Sequence, residues 1–247
     1  MKILYRTFYA LVTVLIFIPS TLYAQSNTFD RVPLYQSFFR DAPISEVPYG
    51  NGFYSYSNYD FLDITTAGVQ AGYAVSPNIE IGSGVYYVTR MPDEVDSESA
   101  IADIPVYGRY NFMAEQTKLS GGAFVTVPIG SKDIGEGNLN FGLFGALRHP
   151  LSEDVVLTGT LGIDFLDTAI EDYEASMNLG TGLIYQAREN LYLLNELKIR
   201  SDLDYSAISS GINYELADFT QLRAHLLLGL DDTAPDFGFT GGLNFNL

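Results

Sequence analysis

Long stretches of the chain alternate between apolar and small or polar side chains, the period of two that marks a strand with one face in an apolar medium. From Val155, the row Val155, Leu157, Gly159, Leu161, Ile163 and Phe165 is largely apolar, and its complement Val156, Thr158, Thr160, Gly162 and Asp164 is small or polar. The C-terminus repeats the rule, with Phe237, Phe239, Gly241, Leu243, Phe245 and Leu247 set against Gly238, Thr240, Gly242, Asn244 and Asn246. Leu222, Ala224, Leu226, Leu228 and Leu230 likewise oppose Gln221, Arg223 and His225, and Ile104, Val106, Tyr110 and Phe112 oppose Asp103, Tyr107, Arg109 and Asn111. Extended along the chain, the pattern predicts strands near 50–57, 65–75, 79–89, 101–112, 118–128, 138–147, 154–166, 175–185, 191–199, 205–214, 220–230 and 237–247. Most have the roughly 9–11 residues that a tilted strand needs to cross a bilayer.

The connections sort into two kinds. Those at Ser76–Asn78, Met113–Thr117, Arg148–Glu153, Gln186–Asn190 and Glu215–Phe219 read as short turns, whereas Arg90–Ala100, Ile129–Gly137 and Asp167–Glu174 read as longer, mostly acidic loops. Short turns on one side and long loops on the other is the asymmetry of bacterial outer-membrane barrels, with the short turns and both chain ends in the periplasm. The expected fold is therefore an all-β transmembrane antiparallel barrel of about twelve strands, with ten to fourteen open.

A soluble β-sandwich or lipocalin-like barrel also alternates, but its polar row faces water and is rich in Lys, Glu and Thr. Here that row is rich in Gly, Asn, Ser and Thr, with glycines at 72, 82, 84, 142, 162, 180, 182, 238 and 242 suited to the crowded inside of a curved sheet. Aromatics near strand ends, namely Tyr73, Tyr87, Phe112, Phe165, Tyr185, Tyr205, Tyr214 and Phe245, are candidates for interfacial girdles, although the chain has no Trp. Composition agrees: 17% of residues are charged, against about 25–35% on a soluble surface.

The first residues carry a separate signal. Lys2 and Arg6, the apolar run Phe8 to Ile18, and the break at Pro19, Ser20 and Thr21 before Ala24 read as a secretory leader over 1–24. The barrel is assigned to 50–247. Between them, 25–49 does not alternate and holds Pro33, Pro43 and Pro48, yet it also holds Phe29, Tyr35, Phe38 and Phe39, too many rings for a solvated tail. It is expected to be either a periplasmic segment or a partial plug folded into the lumen, where Arg31, Arg40 and Asp41 could pair with inward charges.

Charge and chemistry exclude more than they identify. The chain has 13 Lys+Arg against 30 Asp+Glu, and loss of Lys2 and Arg6 with the leader leaves 11 against 30, a balance that argues against nucleic acid as a partner. No Cys is present, so disulfides, thiolate metal sites and Cys nucleophiles are unavailable. His149, in a predicted turn, and His225, in a lumen row, lack partners at catalytic spacing, and no metal or cofactor motif occurs. Neither a cofactor nor an enzymatic activity is expected. The carboxylates Asp93, Glu94, Asp96 and Glu98, then Asp167, Glu171, Asp172 and Glu174, then Asp231, Asp232 and Asp236 cluster in outer loops without a regular Ca²⁺ spacing. They would give any conductance a cation preference; an anion preference would point instead to Arg109, Lys198 and Arg223.

The ionisable residues on inward rows are Glu80, Asp103, Arg109, Lys118, Asp164, Glu196, Lys198, Arg223 and His225. They are the candidate lumen-lining site, and they could either line an aqueous path or pair across it. Glu80 and Arg109 fall on neighbouring strands at similar depth and are expected to form an ion pair.

The closing stretch Asp231-Asp232-Thr233-Ala234-Pro235-Asp236-Phe237-Gly238-Phe239-Thr240-Gly241-Gly242-Leu243-Asn244-Phe245 resembles the last hairpin of the transporter-like barrels grouped with the phenol-degradation meta-pathway outer-membrane proteins. That resemblance implies an uptake or export pore for small, hydrophobic compounds and transfers no functional residues. A pore or transporter is thus the leading expectation, ahead of a structural or adhesive barrel and of a rim-active enzyme. Its partners would be outer-membrane lipid, lipopolysaccharide and small-molecule solutes.

Overall fold

The computed structural model describes residues 27–131, 134–135, 137–167, 173–201 and 204–246. The expected leader, Glu171, Asp172 and Leu247 lie outside the described residues. A 3-10 turn at Asn27–Arg31 comes first. The segments β1 (Tyr49–Tyr59), β2 (Leu62–Ser76), β3 (Ile79–Pro92), β4 (Glu98–Ile101), β5 (Ile104–Ala114), β6 (Lys118–Val127) and β7 (Phe141–Pro150) follow. Then come β8 (Val155–Leu166), β9 (Glu174–Arg188), β10 (Leu191–Arg200), β11 (Tyr205–Ala217), β12 (Thr220–Gly229) and β13 (Phe237–Asn246).

Successive segments pair antiparallel, and β1 pairs with β13 from Tyr49 opposite Asn246 to Asn58 opposite Phe237, which closes the sheet into a barrel. Because β4 and β5 lie end to end along β3, the thirteen segments make twelve staves. Closure joins the first strand to the last, so the ladder hydrogen bonds of the wall are met within the sheet, as the bilayer interior demands.

Alternation then decides what faces lipid. Val69, Ile81, Leu143, Leu161, Ile212 and Leu226 are exposed on the outside, while Glu80, Asn111, Ser120, Thr158, Asn178, Asn213 and Asn244 are buried on the inside. Aromatics belt both ends, with Tyr73, Phe112, Tyr185, Tyr214 and Phe245 exposed toward the short-turn end and Tyr87, Phe141 and Phe237 toward the long-loop end. Leu161 sits in the middle of β8, opposite Gly145 on one neighbour and Leu179 on the other. Replacing it with Arg should cost about 2–4 kcal/mol of stability in lipid, read from urea unfolding of vesicle-inserted protein beside Leu161→Ala. Equal stability of the two variants would show that Leu161 does not face hydrocarbon.

The turns at 77–78, 115–117, 151–154, 189–190 and 218–219 share the end where β1 begins and β13 stops, which is the periplasmic end by their shortness. The connections β1 to β2, β3 to β4, β6 to β7, β8 to β9, β10 to β11 and β12 to β13 begin and end at the opposite end.

Several boundaries differ from the sequence pattern for physical reasons. The expected loop Arg90–Ala100 shrinks to 93–97, because β3 and β4 continue pairing from Tyr87 opposite Ile101 to Arg90 opposite Glu98. The strand expected at 101–112 is interrupted at Ala102 and Asp103. Arg148 and His149 are not turn residues: they lie in β7, which runs to Pro150 opposite Val156. Pro150 is tolerated there because the next N–H on that strand, of Leu151, donates toward β8, to Val155. The missing donor of Pro150 therefore faces the other side, where β6 pairs only as far as Arg148. Tyr205 belongs to the inward row with Ala207 and Ser209, not to a lipid-facing girdle.

Candidate functional site

Both clusters of buried apolar side chains among the described residues lie inside the barrel, between its wall and the segment that precedes β1. Phe29, Val32 and Leu34 pack on Val156, Ile184, Tyr192 and Leu194, and Phe38 and Phe39 pack on Tyr49 with Tyr107 against them. The described part of this segment, 27–48, is called the strap below. It enters at the periplasmic end, climbs past β8 to β12, turns at Ser37 to Arg40, where the Arg40 N–H donates to Ser37 O, and returns to β1.

Prolines leave the strap no ladder of its own, so its backbone polar groups are met by wall side chains. On the ascending limb, Arg148 donates to Phe29 O and Val32 O, and Arg223 donates to Pro33 O and Leu34 O at 3.1 and 3.0 Å. The Glu196 carboxylate accepts the N–H groups of Tyr35 and Gln36 at 2.8 and 3.3 Å, and Lys198 donates to Gln36 O at 3.3 Å. The Tyr35 hydroxyl donates to Ile212 O, and burial pushes that phenol above its ordinary range, so it stays a donor. At the tip, Arg40 reaches Asp164 at 3.0 Å and lies 4.6 Å from the centre of the Phe124 ring. On the descending limb, Arg109 donates to Asp41 O at 2.9 Å, Ser120 donates to Ala42 O, and the Ser45 N–H donates to Glu80 at 3.2 Å.

Eight of the nine residues singled out on inward rows therefore meet the strap or a partner beside it. Glu80 and Arg109, in register on β3 and β5, are 2.6 Å apart, and the Tyr49 hydroxyl donates to the same Glu80 oxygen at 2.6 Å. Lys118 pairs with Asp30, Asp164 accepts from both Arg40 and Asn178, and the His225 ring lies 4.1 Å from that of Tyr35. Asp103 is the exception. Its two carboxylate oxygens accept the N–H groups of Gly130 and Gly137, so it anchors the 128–140 loop at the outer rim and does not line the mid-lumen.

The pattern of inward residues did not single out Arg148, which also grips the Asp41 carboxylate, with Nε 2.8 Å from Oδ1. A glycine marks the fit from the other side: a Cβ on Gly82 would stand 2.4 Å from the Phe39 ring. A signal for the strap was nevertheless present. Ile184, Tyr192 and Leu194 form with Val156 a run of apolar residues on inward rows of adjacent strands, and an apolar patch there requires something apolar inside the lumen to cover it.

Space remains around the strap. Above its tip is a vestibule of about 290 Å³ bounded by Arg40, Tyr107, Phe124, Asn140, Lys198 and Arg200. Beside it, against β1 and β11 to β13, is a chamber of about 240 Å³ that shares Gln36, Gln70 and Lys198 with the vestibule. On the periplasmic side an antechamber of about 620 Å³ opens beneath Ser45 and Lys118. A smaller space of about 40 Å³, lined by Tyr49, Arg109 and Asn244 among others, shares Phe38 with the chamber and Asp30, Arg31, Ser45 and Asn246 with the antechamber.

A closed antiparallel barrel with an apolar exterior, aromatic belts and a polar lumen defines a bacterial outer-membrane β-barrel. Solved structures share this fold. An outer-membrane channel from Pseudomonas putida F1 superposes with a TM-score of 0.68 at 12% identity, over 85% of this chain and 98% of that one. The KdgM porin gives 0.60 at 10% identity, over 80% and 99% of the two chains, and the NanC porin 0.55 at 9%, over 81% and 100%. No protein-family model matches the sequence, and no curated protein matches it.

Proposed function

We propose that the protein is an outer-membrane channel for small solutes whose lumen is narrowed by its own N-terminal strap. The observation that carries this reading is the set of buried polar atoms along the lumen that no group of the described residues satisfies. Gln36 Oε1, Asn51 Oδ1, Asn111 Oδ1, Asn213 Oδ1, Arg223 Nε and Asn244 Oδ1 are among them. Each such group costs about 1–3 kcal/mol while unanswered, and all of these except Asn213 belong to residues that line the open spaces of the lumen, where a small side-chain movement exposes them to water or solute. Support also comes from the fold, which is that of solved channels and porins, and from the closing hairpin, whose resemblance to the phenol-degradation meta-pathway barrels fits a path for small compounds.

The test is single-channel recording of the refolded mature protein in a planar bilayer. Discrete small steps are expected, because the gap at Phe38 and Arg109 is narrow. Silence from both the intact protein and a strap-deleted form would favour the scaffold reading instead.

A further inference from the structure

The outer loops and the chamber beside the strap have opposite electrical character. The chain as a whole carries a formal net charge of −17, with carboxylates concentrated in the outer loops. Among the described residues, those lining the chamber include Lys198 and Arg223 and not one Asp or Glu. Glu196, a carboxylate that acts on both cations, is occupied by the Tyr35 and Gln36 N–H groups.

The remaining wall includes two kinds of surface that bear on a ligand, beside His225, Leu227, Thr240 and Gly242. Tyr35, Phe53 and Tyr205 supply aromatic surface, and Gln36, Asn51 and Gln70 supply amides. Two of those amide oxygens, Gln36 Oε1 and Asn51 Oδ1, are buried acceptors without a donor. The Gln36 amide nitrogen is already committed to Glu196 O and Ser209 Oγ, so its oxygen is the end left over. Arg223 Nε, buried on the same wall, is a donor without an acceptor. Lys198 stands where vestibule and chamber meet and, among the described residues, makes one weak hydrogen bond, at 3.3 Å to Gln36 O, for its three protons.

We infer that the chamber is a binding site for a small carboxylate with a flat, hydroxylated body. The Lys198 ammonium takes the carboxylate as a charge-assisted hydrogen bond, the rings of Tyr35, Phe53 and Tyr205 take the flat body, and ligand hydroxyls donate to the orphaned amide oxygens. A volume of about 240 Å³ admits a ligand of roughly ten to fifteen non-hydrogen atoms, below the drug-sized range. This rests on the channel reading only for access from outside; the site itself is a property of the wall.

Isothermal titration of the refolded mature protein in detergent tests it, with 4-hydroxybenzoate as the probe and benzoate and 4-hydroxybenzyl alcohol as its truncations. Saturable binding of 4-hydroxybenzoate is expected, weakened about tenfold when either the charge or the hydroxyl is removed. Lys198→Gln should weaken the two carboxylates by about tenfold or more and leave the alcohol unchanged, a split that general loosening of the strap would not give. Leu227→Trp, which fills the chamber from β12, should abolish binding of all three. The site is overturned if 4-hydroxybenzoate does not saturate, if the alcohol binds as tightly, or if neither variant changes the affinities. Conductance that persists without binding overturns the site and leaves the channel standing; binding without conductance does the reverse.

Discussion

Removal of residues 27–47, with residues 1–26 kept, should give a barrel that assembles normally and conducts several times better than the intact protein. Assembly is expected because no rung of the closing ladder belongs to the strap: β1 starts at Tyr49 and pairs with β2 and β13 along its whole length. The gain follows from size. An eight-stranded barrel is just filled by its own inward side chains, and diameter grows roughly in proportion to strand number, so twelve staves leave a lumen that something else must occupy. Here the occupant is the strap, and one of the spaces left beside it, at Phe38 and Arg109, is only about 40 Å³. Without it the path widens to the full lumen, and a rise in single-channel conductance of roughly fivefold or more is the expected reading. Heat-dependent gel mobility checks assembly in the same preparation. A deleted form that is folded yet conducts no better than the parent would mean that the strap is not the obstruction.

The same deletion strips the apolar patch of Val156, Ile184, Tyr192 and Leu194 of its cover. Some loss of thermal stability should therefore accompany the gain in current, since these side chains now meet water. This coupling separates a strap that is part of the packed structure from one that merely rests in the mouth.

How far the sequence predicts this arrangement depends on the range of the forces involved. The barrel wall is local, because the side-chain period of two and the chemistry of turns act over a few residues. Strand positions, their inward and outward faces, and the in-register meeting of Glu80 and Arg109 are therefore visible in the alternation. Boundaries fail where a residue answers to a distant partner. Asp103 leaves the strand pattern to bind the N–H groups of Gly130 and Gly137. Arg148 and His149 look like the start of a turn because Pro150 follows them, yet its missing donor points to a side with no neighbouring strand. Tyr205 reads as a girdle aromatic because it begins a strand, and only parity with Ala207 and Ser209 places it in the chamber. The strap contacts are the extreme case. Asp41 and Arg148 are separated by 107 residues in sequence, and no local pattern couples them.

That pair is also where the strap should be easiest to dislodge by a single change. Arg148→Met removes the partner of the Asp41 carboxylate together with the donors to Phe29 O and Val32 O, all of them in a buried setting. Breaking one side of a buried, hydrogen-bonded ion pair costs about 3–5 kcal/mol, because the surviving charge is left without compensation. Read as a change in the docking equilibrium, this is a shift of roughly two to four orders of magnitude toward the undocked strap. The variant should visit the conductance level of the strap-deleted barrel, and added protease should cut the strap around Gln36 to Arg40, a stretch that the wall protects in the parent. Most of this penalty belongs to the stranded Asp41 charge and less to the lost attraction. Adding Asp41→Leu to Arg148→Met should therefore recover much of the docking, although each substitution alone is harmful. Partial return of the low-conductance state in the double variant supports the pair as the latch. Additive damage would mean that the carbonyl contacts of Arg148, not its hold on Asp41, keep the strap in the lumen.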